Sequence, residues 1–180
     1  MQSADARVEP VADVPLAPFC TLGVGGPARW FIRVASAEAV AFAYAWAASR
    51  TLPALVLGGG SNLVVADHGV DALVLRMAVT GVDASKTGPN VRLTVGAGES
   101  WDAFVADVVA RGLAGVECLS GIPGTVGGTP VQNVGAYGQD VAQVIESVTA
   151  FDSRSSQIVC LDGSACGFGY RTSRFKDIDA

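Results

Sequence analysis

Apolar positions along this chain fall into short blocks whose period changes from one to the next. Trp101, Phe104, Val105, Val108 and Val109 recur at i, i+3, i+4, i+7 and i+8, which puts them on one face of a helix. Ser100 precedes this block as an N-cap, Asp102 stands in the first turn and Arg111 in the last, and Gly112 supplies the stop. A second helix is predicted from an N-cap at Ser36 to about Arg50, with Glu38 near its positive end and Pro53 beyond it. Val91 to Val95 alternates apolar and polar, the period of a half-buried strand. Arg29 to Val34, Leu63 to Val65 and Ala72 to Leu75 read as further strands, and Ala54 to Leu57 as a short, wholly apolar, buried one. Ser147 to Phe151 and Gln157 to Leu161 form a predicted hairpin across Asp152 to Ser156. Met1 to Phe19 has prolines and acids but no apolar period, and reads as a loose N-terminal segment.

Between Gly112 and Gly138 both periods disappear. Gly115, Gly121, Gly124, Gly127, Gly128, Gly135 and Gly138 break the run too often for a long helix or strand, and so long a run in a compact domain is uncommon without a task. Half of the 180 residues are hydrophobic and few are charged, enough for a real core and too apolar for disorder. A net charge of −5 leaves no electrostatic footprint for nucleic acid, and any phosphate has to be held locally by backbone N–H groups rather than by a basic patch. The most apolar stretch, Val34 to Ser49, is short and carries Glu38, so it suits a core helix and not a membrane span. No basic stretch followed by an apolar run appears before Pro18, which leads to the expectation of a cytoplasmic protein. Cys20, Cys118, Cys160 and Cys166 lack CxxC spacing and there is a single histidine, so reduced thiols are expected rather than zinc or disulfides.

Three stretches carry candidate chemistry. Gly58-Gly59-Gly60-Ser61-Asn62 follows a predicted strand. Successive glycines can aim several N–H groups at one phosphate, with the Ser61 hydroxyl and Asn62 amide beside them. A dinucleotide fingerprint would need a glycine at Leu63 and a following helix; a tight hairpin turn is the structural alternative. Gly121 to Gly138 combines close backbone approach, through Ile122, Pro123, Gly124, Gly127, Gly128, Gly135 and Ala136, with the polar side chains of Thr125, Thr129, Gln132, Asn133 and Tyr137. That is a suitable lining for a large cofactor with rings and phosphates, and a structural omega-type loop is its alternative. Arg171, after Gly169-Tyr170, offers a permanently charged fork for a carboxylate or carbonyl, against the alternative of an ordinary surface arginine. His68 suits a loop better than catalysis, and Ser173-x-x-Lys176 lacks the partner motifs of a serine nucleophile. No P-loop is present.

Taken in order, these motifs closely resemble the UDP-N-acetylenolpyruvoylglucosamine reductases. The similar stretches are Thr21 to Ala28, Gly58 to Leu63, Gly96 to Glu99, Gly121 to Gly128 with Gln132 to Gly138, and Phe168 to Ser173 with Phe175-Lys176. The resemblance implies an α+β FAD-binding fold of the PCMH or vanillyl-alcohol oxidase type, built of two α+β lobes with FAD between them. It places the domain at 19–180, with lobes of about 19–80 and 81–180 after the segment 1–18. It implies non-covalent FAD, NADPH as co-substrate, and reduction of UDP-N-acetylglucosamine enolpyruvate to UDP-N-acetylmuramate by a cytoplasmic monomer. That reaction belongs to peptidoglycan precursor synthesis, and so to cell-wall biogenesis, cell shape and division. No nucleic-acid or membrane partner is implied. Arg171 matches the family's active-site arginine and Tyr170 is its neighbour. The family's substrate-binding domain, with its proton-donor serine and assisting glutamate, has no counterpart up to Ala180, so a flavin-binding fragment inactive by itself is expected. A covalent-flavin oxidase on the same fold and a non-catalytic flavin module are the rival readings.

Overall fold

The computed structural model describes residues 9–177, which divide into two compact units, one ending at Met77 and one beginning at Ala78. The first unit is a four-stranded sheet with one helix. Its strands are β1 (Val11–Pro15), β2 (Pro27–Val34), β3 (Ala54–Leu57) and β4 (Val70–Met77), in the order β1-β2-β4-β3. β4 lies between β2 and β3 and is parallel to both, while β1 is antiparallel to β2. The crossover from β2 to β3 is helix α1 (Ala37–Ala48), where the Ser36 hydroxyl accepts the Ala39 N–H at 3.2 Å, the expected cap. α1 buries Val40, Ala43 and Ala47, and on the same side Trp46 meets Trp30 of β2 edge to face. The other sheet face carries a second core of Leu16, Cys20, Ala28, Leu57, Val65 and Val74, with Phe19 stacked on Phe31 at 4.8 Å.

Three expectations for this unit need correction. Residues 1–8 lie outside those described, but Val11–Pro15 is not loose: it pairs with β2, and Leu16 beyond it is fully buried. Pro15 is tolerated because β1 is an edge strand, and Asp13 at φ 53° breaks its pattern. Leu63 to Val65 forms no strand; only Val65 reaches the core while Leu63 and Val64 stay exposed. Ala54–Leu57 is a strand but not a buried one, because it is the other sheet edge and leaves Leu55 and Val56 about half exposed.

The second unit is built around α2 (Trp101–Ala110). Trp101, Val105 and Val108 are buried with Val116, Leu119, Val134 and Val141, and the Trp101 indole donates to the Leu119 carbonyl at 2.9 Å. Val109, expected on this face, is 50% exposed, since at i+8 from Trp101 it has rotated past the contact. Gly112 takes the left-handed conformation expected of the stop, φ 70°. The unit also has three hairpins: β5 (Val82–Thr87) with β6 (Asn90–Val95), β7 (Gly135–Ala136) with β8 (Gln139–Asp140), and β9 (Ser147–Asp152) with β10 (Gln157–Asp162). In the last, Asp152 accepts from the Arg154 N–H and the Ser155 hydroxyl and so closes the predicted turn. A short α3 (Arg174–Asp177) follows the Gly169–Thr172 bridge.

Candidate functional site

The glycine-rich run of the second unit is pinned along the turn that precedes α2. Trp101 N–H donates to the Gly124 carbonyl, Val126 N–H to Glu99 and Gly127 N–H to Ala97, all near 3 Å. Asp102, in the first turn of α2, accepts the Gly121 N–H at 2.6 Å and the Ser120 hydroxyl at 3.1 Å. Gly127 is required here: a Cβ would stand 2.6 Å from that of Ala97. Ile122 packs on the α2 core, whereas Pro123 is exposed. Thr125 and Thr129 are buried, and the Thr129 hydroxyl donates to the Val126 carbonyl at 2.8 Å, so it serves the loop's own fold. Gln132 is exposed.

Past Gln132 the run turns into a cleft. β7 and β8 are joined by Tyr137 and Gly138, with φ 50° and 83°, the paired positive values of a type I′ hairpin turn. The first of these positions normally takes Asn, Asp or Gly; here it holds a tyrosine 91% exposed. Opposite stands a second tight turn, Gly169–Thr172, closed by Gly169 N–H to the Thr172 carbonyl at 3.1 Å. Its central residues are Tyr170, 92% exposed, and Arg171 at φ 55°. The Arg171 guanidinium lies 6.0 Å over the Tyr170 ring, and Lys176 donates to the Arg171 carbonyl. Between the two turns is a space of about 300 Å³ lined by Asn133, Gly135, Ala136, Tyr137, Tyr170 and Arg171 among others. The structure thus gathers the end of the glycine run and the expected catalytic pair into one site.

Two buried polar side chains hold the turns together. Asn133, 6% exposed and at φ 45°, donates from Nδ2 to the Gly169 carbonyl at 3.0 Å, and its Oδ1 accepts the Ala142 N–H at 3.1 Å. Ser173, 2% exposed, donates to the Val131 carbonyl at 2.7 Å and accepts the Phe175 N–H. Ser173 was legible only within a discarded motif and a stretch of family resemblance, and Asp102 only as a helix-dipole residue. Neither anchoring role has a local sequence signal, because the partners lie 42 and 19 positions away.

Of the residues with positive φ that are not glycine, Asn133, Tyr137 and Arg171 all face this one cleft. For Tyr137 and Arg171 this conformation costs roughly 1–2 kcal/mol each, whereas asparagine adopts it more readily, and strain of this kind persists where surrounding structure imposes it, most often at ligand sites. Asn133→Ala therefore acts on the fold as well as on the site. It leaves the half-buried Ala142 N–H and Gly169 carbonyl without their side-chain partner, at roughly 1–3 kcal/mol. A fall of several degrees in the melting temperature of the apo protein is the expected outcome in a thermal scan; an unchanged melting temperature would assign Asn133 to ligand contact alone.

In the first unit, Gly58 and Gly59 are half-buried, Gly60 is buried, and Ser61 and Asn62 are exposed. Positive φ falls at Gly60 (68°), whose carbonyl accepts the Thr21 N–H at 3.0 Å. A Cβ on Gly60 would sit 1.8 Å from the Phe19 carbonyl oxygen, so this glycine is fixed by the fold. The loop leads into irregular chain, not into a paired strand, so the hairpin alternative does not describe it. His68 is an exposed turn residue, as expected. The cysteines are free; Cys166 is buried, and burial pushes its thiol up from the ordinary range. Among the described residues no helix is long and apolar enough to cross a membrane.

The profile of the family described as "FAD binding domain" matches residues 28–161. A UDP-N-acetylenolpyruvoylglucosamine reductase from Thermobifida fusca is 48% identical over 93% of this chain and 47% of its own length. The chain thus spans about half the length of the curated relatives it matches. The crystal structure of the enzyme of that name from Thermus caldophilus superposes with a TM-score of 0.70 at 34% identity, over 93% of this chain and 56% of that one. A vanillyl-alcohol-oxidase-type flavoprotein from Myceliophthora thermophila shares the fold, with a TM-score of 0.59 at 15% identity over 76% of this chain and 27% of its own.

Proposed function

From the premise that the chain belongs to the FAD binding domain family, with the α+β fold of the vanillyl-alcohol oxidase and PCMH flavoproteins, we propose that it is the flavin-binding part of a UDP-N-acetylenolpyruvoylglucosamine reductase. It holds FAD non-covalently, and the whole protein reduces UDP-N-acetylglucosamine enolpyruvate to UDP-N-acetylmuramate with NADPH. In this reading it acts in the cytoplasm, as a monomer, in peptidoglycan precursor synthesis. The relatives' names support the reaction, and the observation that carries the site is Arg171, held in a strained turn beside an exposed tyrosine and the end of the glycine run.

The assigned parts divide by chemistry. Gly58, Gly59, Gly60, Ser61 and Asn62 present backbone and side-chain donors to phosphate. Ile122, Pro123, Gly124, Thr125, Gly127, Gly128 and Thr129 allow close approach of a flat ligand, and Gln132, Asn133, Gly135, Ala136 and Tyr137 continue that surface to the cleft. When bound, FAD supplies hydride transfer between NADPH and the substrate. Hydride addition to the enolpyruvyl double bond builds negative charge toward the substrate carboxylate. The Arg171 guanidinium, carried on a backbone turn that Lys176 braces at the Arg171 carbonyl, stabilises that charge. Tyr170 shapes the wall beside it.

The reading is tested on a protein of the relatives' full length that carries this sequence. NADPH consumption dependent on the enolpyruvyl substrate, with flavin left in the supernatant after acid precipitation, is the expected result. Flavin in the pellet would instead favour an oxidase with a covalent tether. Flavin binding without turnover would favour a non-catalytic module.

A further inference from the structure

The register of the first sheet places two arginines side by side where its parallel strands end. Arg33 of β2 is the direct partner of Arg76 of β4, and Arg76 is in turn the direct partner of Leu57, the last residue of β3. Partners in register point to the same face. That face is fixed by their neighbours: Phe31, Val74 and Leu57 all belong to the core opposite α1. The chain leaves Leu57 directly into Gly58-Gly59-Gly60, and Gly60 abuts the carbonyl of Phe19, whose ring stacks on Phe31. Both arginines therefore lie on the side of the sheet to which the glycine loop turns, at the carboxyl ends of β2 and β4.

Nothing described in the protein balances them. The ion pairs among the described residues are Arg29–Asp71, Arg92–Glu146 and Arg111–Asp107. Nη1 of Arg76 is buried without a hydrogen-bond partner, the one such side-chain atom among the described residues. Like charges directly opposed in a sheet repel, and a buried unpaired donor of a charged group is costly. In a chain with a net charge of −5, this pair stands out as a local concentration of positive charge built into a rigid sheet end. Ligands of open sheets with parallel strands bind outside the carboxyl ends of those strands.

We infer that Arg33 and Arg76 form an anion site with the Gly58–Asn62 loop, taking a diphosphate. Arg76 supplies the inner, pre-placed donor, Arg33 the outer, solvent-facing charge, and the loop the backbone N–H groups. The inference rests on the FAD reading for the identity of the natural ligand, since the diphosphate of FAD is the dianion that reading brings to this loop. It modifies the expectation that backbone N–H groups act without basic side chains.

The test uses inorganic pyrophosphate and FAD as separate probes on the whole chain, with Arg76→Met and Arg33→Gln. Methionine removes the half-buried guanidinium with its unpartnered Nη1 while keeping bulk, so the apo melting temperature should hold or rise. Arg33 is exposed, so its replacement does not threaten the fold. Pyrophosphate should raise the melting temperature of the parent but not of Arg76→Met. FAD dissociation constants should rise roughly tenfold or more for Arg76→Met and less for Arg33→Gln, as for the loss of charge-assisted hydrogen bonds, with a flatter salt dependence in both. FAD binding within twofold of the parent in both variants, or an equal pyrophosphate shift in parent and Arg76→Met, would overturn the site. A parent that responds to pyrophosphate but takes up no FAD would keep the anion site and discard the flavin reading.

Discussion

Arg171→Ala is expected to slow hydride delivery to the enolpyruvyl substrate on the order of 10²–10³-fold, the usual cost of removing one preorganised charge-stabilising donor. The measurement needs a protein of the relatives' full length, with the two half-reactions followed separately by stopped-flow absorbance. Oxidation of NADPH and the flavin spectrum should stay close to the parent, because the proposed role of Arg171 is to meet the charge that develops on the substrate and not on the flavin. Arg171→Lys should rescue poorly, since an ammonium lacks the planar fork. Arg171→Gly separates function from strain. The residue sits at φ 55°, where glycine is at ease, so this variant should match the alanine variant in rate while its apo melting temperature holds or rises. A loss confined to the NADPH half, or no loss in either, would return Arg171 to the status of a surface arginine.

Gly60→Ala is expected to destabilise the apo protein beyond the roughly 0.5–3 kcal/mol of ordinary substitutions. The added Cβ would meet the Phe19 carbonyl oxygen at 1.8 Å, and the neighbour is backbone at a position with φ 68°. Gly59→Val makes the contrast. In the proposed reading a side chain there would stand where a phosphate approaches, so FAD affinity should fall by about 1.5–3 kcal/mol, a charge-assisted hydrogen bond's worth, with a smaller change in apo melting. Thermal scans with and without FAD read both. Equal FAD titration curves for Gly59→Val and the parent would remove the phosphate role of the loop and leave Gly60 as a purely architectural glycine.

The parts of this fold legible in the sequence are those with an undisturbed period or a cap. Ser36, the i, i+4 face of α2, Gly112 and the Asp152 turn each appear where local chemistry puts them. β1 escaped because Pro15 and the positive φ of Asp13 interrupt its pattern, and β5 because an exposed two-stranded hairpin leaves Asp83, Ser85 and Lys86 without an apolar rhythm. Leu63 to Val65 misled for the opposite reason: three apolar residues in a row with no strand beside them to pair with. The candidate site was legible as motifs but not as a place. Local pattern cannot bring Asn133 to Gly169, 36 positions on, and sequence reading gives positive φ to glycines, not to Asn133, Tyr137 and Arg171.

The most direct test of the account is the absorbance spectrum of the purified chain after incubation with FAD and removal of free ligand. The account predicts the two bands of bound oxidised flavin, quenched flavin fluorescence during titration, and release of intact FAD on acid denaturation. A spectrum showing protein absorbance alone, with flavin fluorescence unchanged throughout the titration, would contradict it.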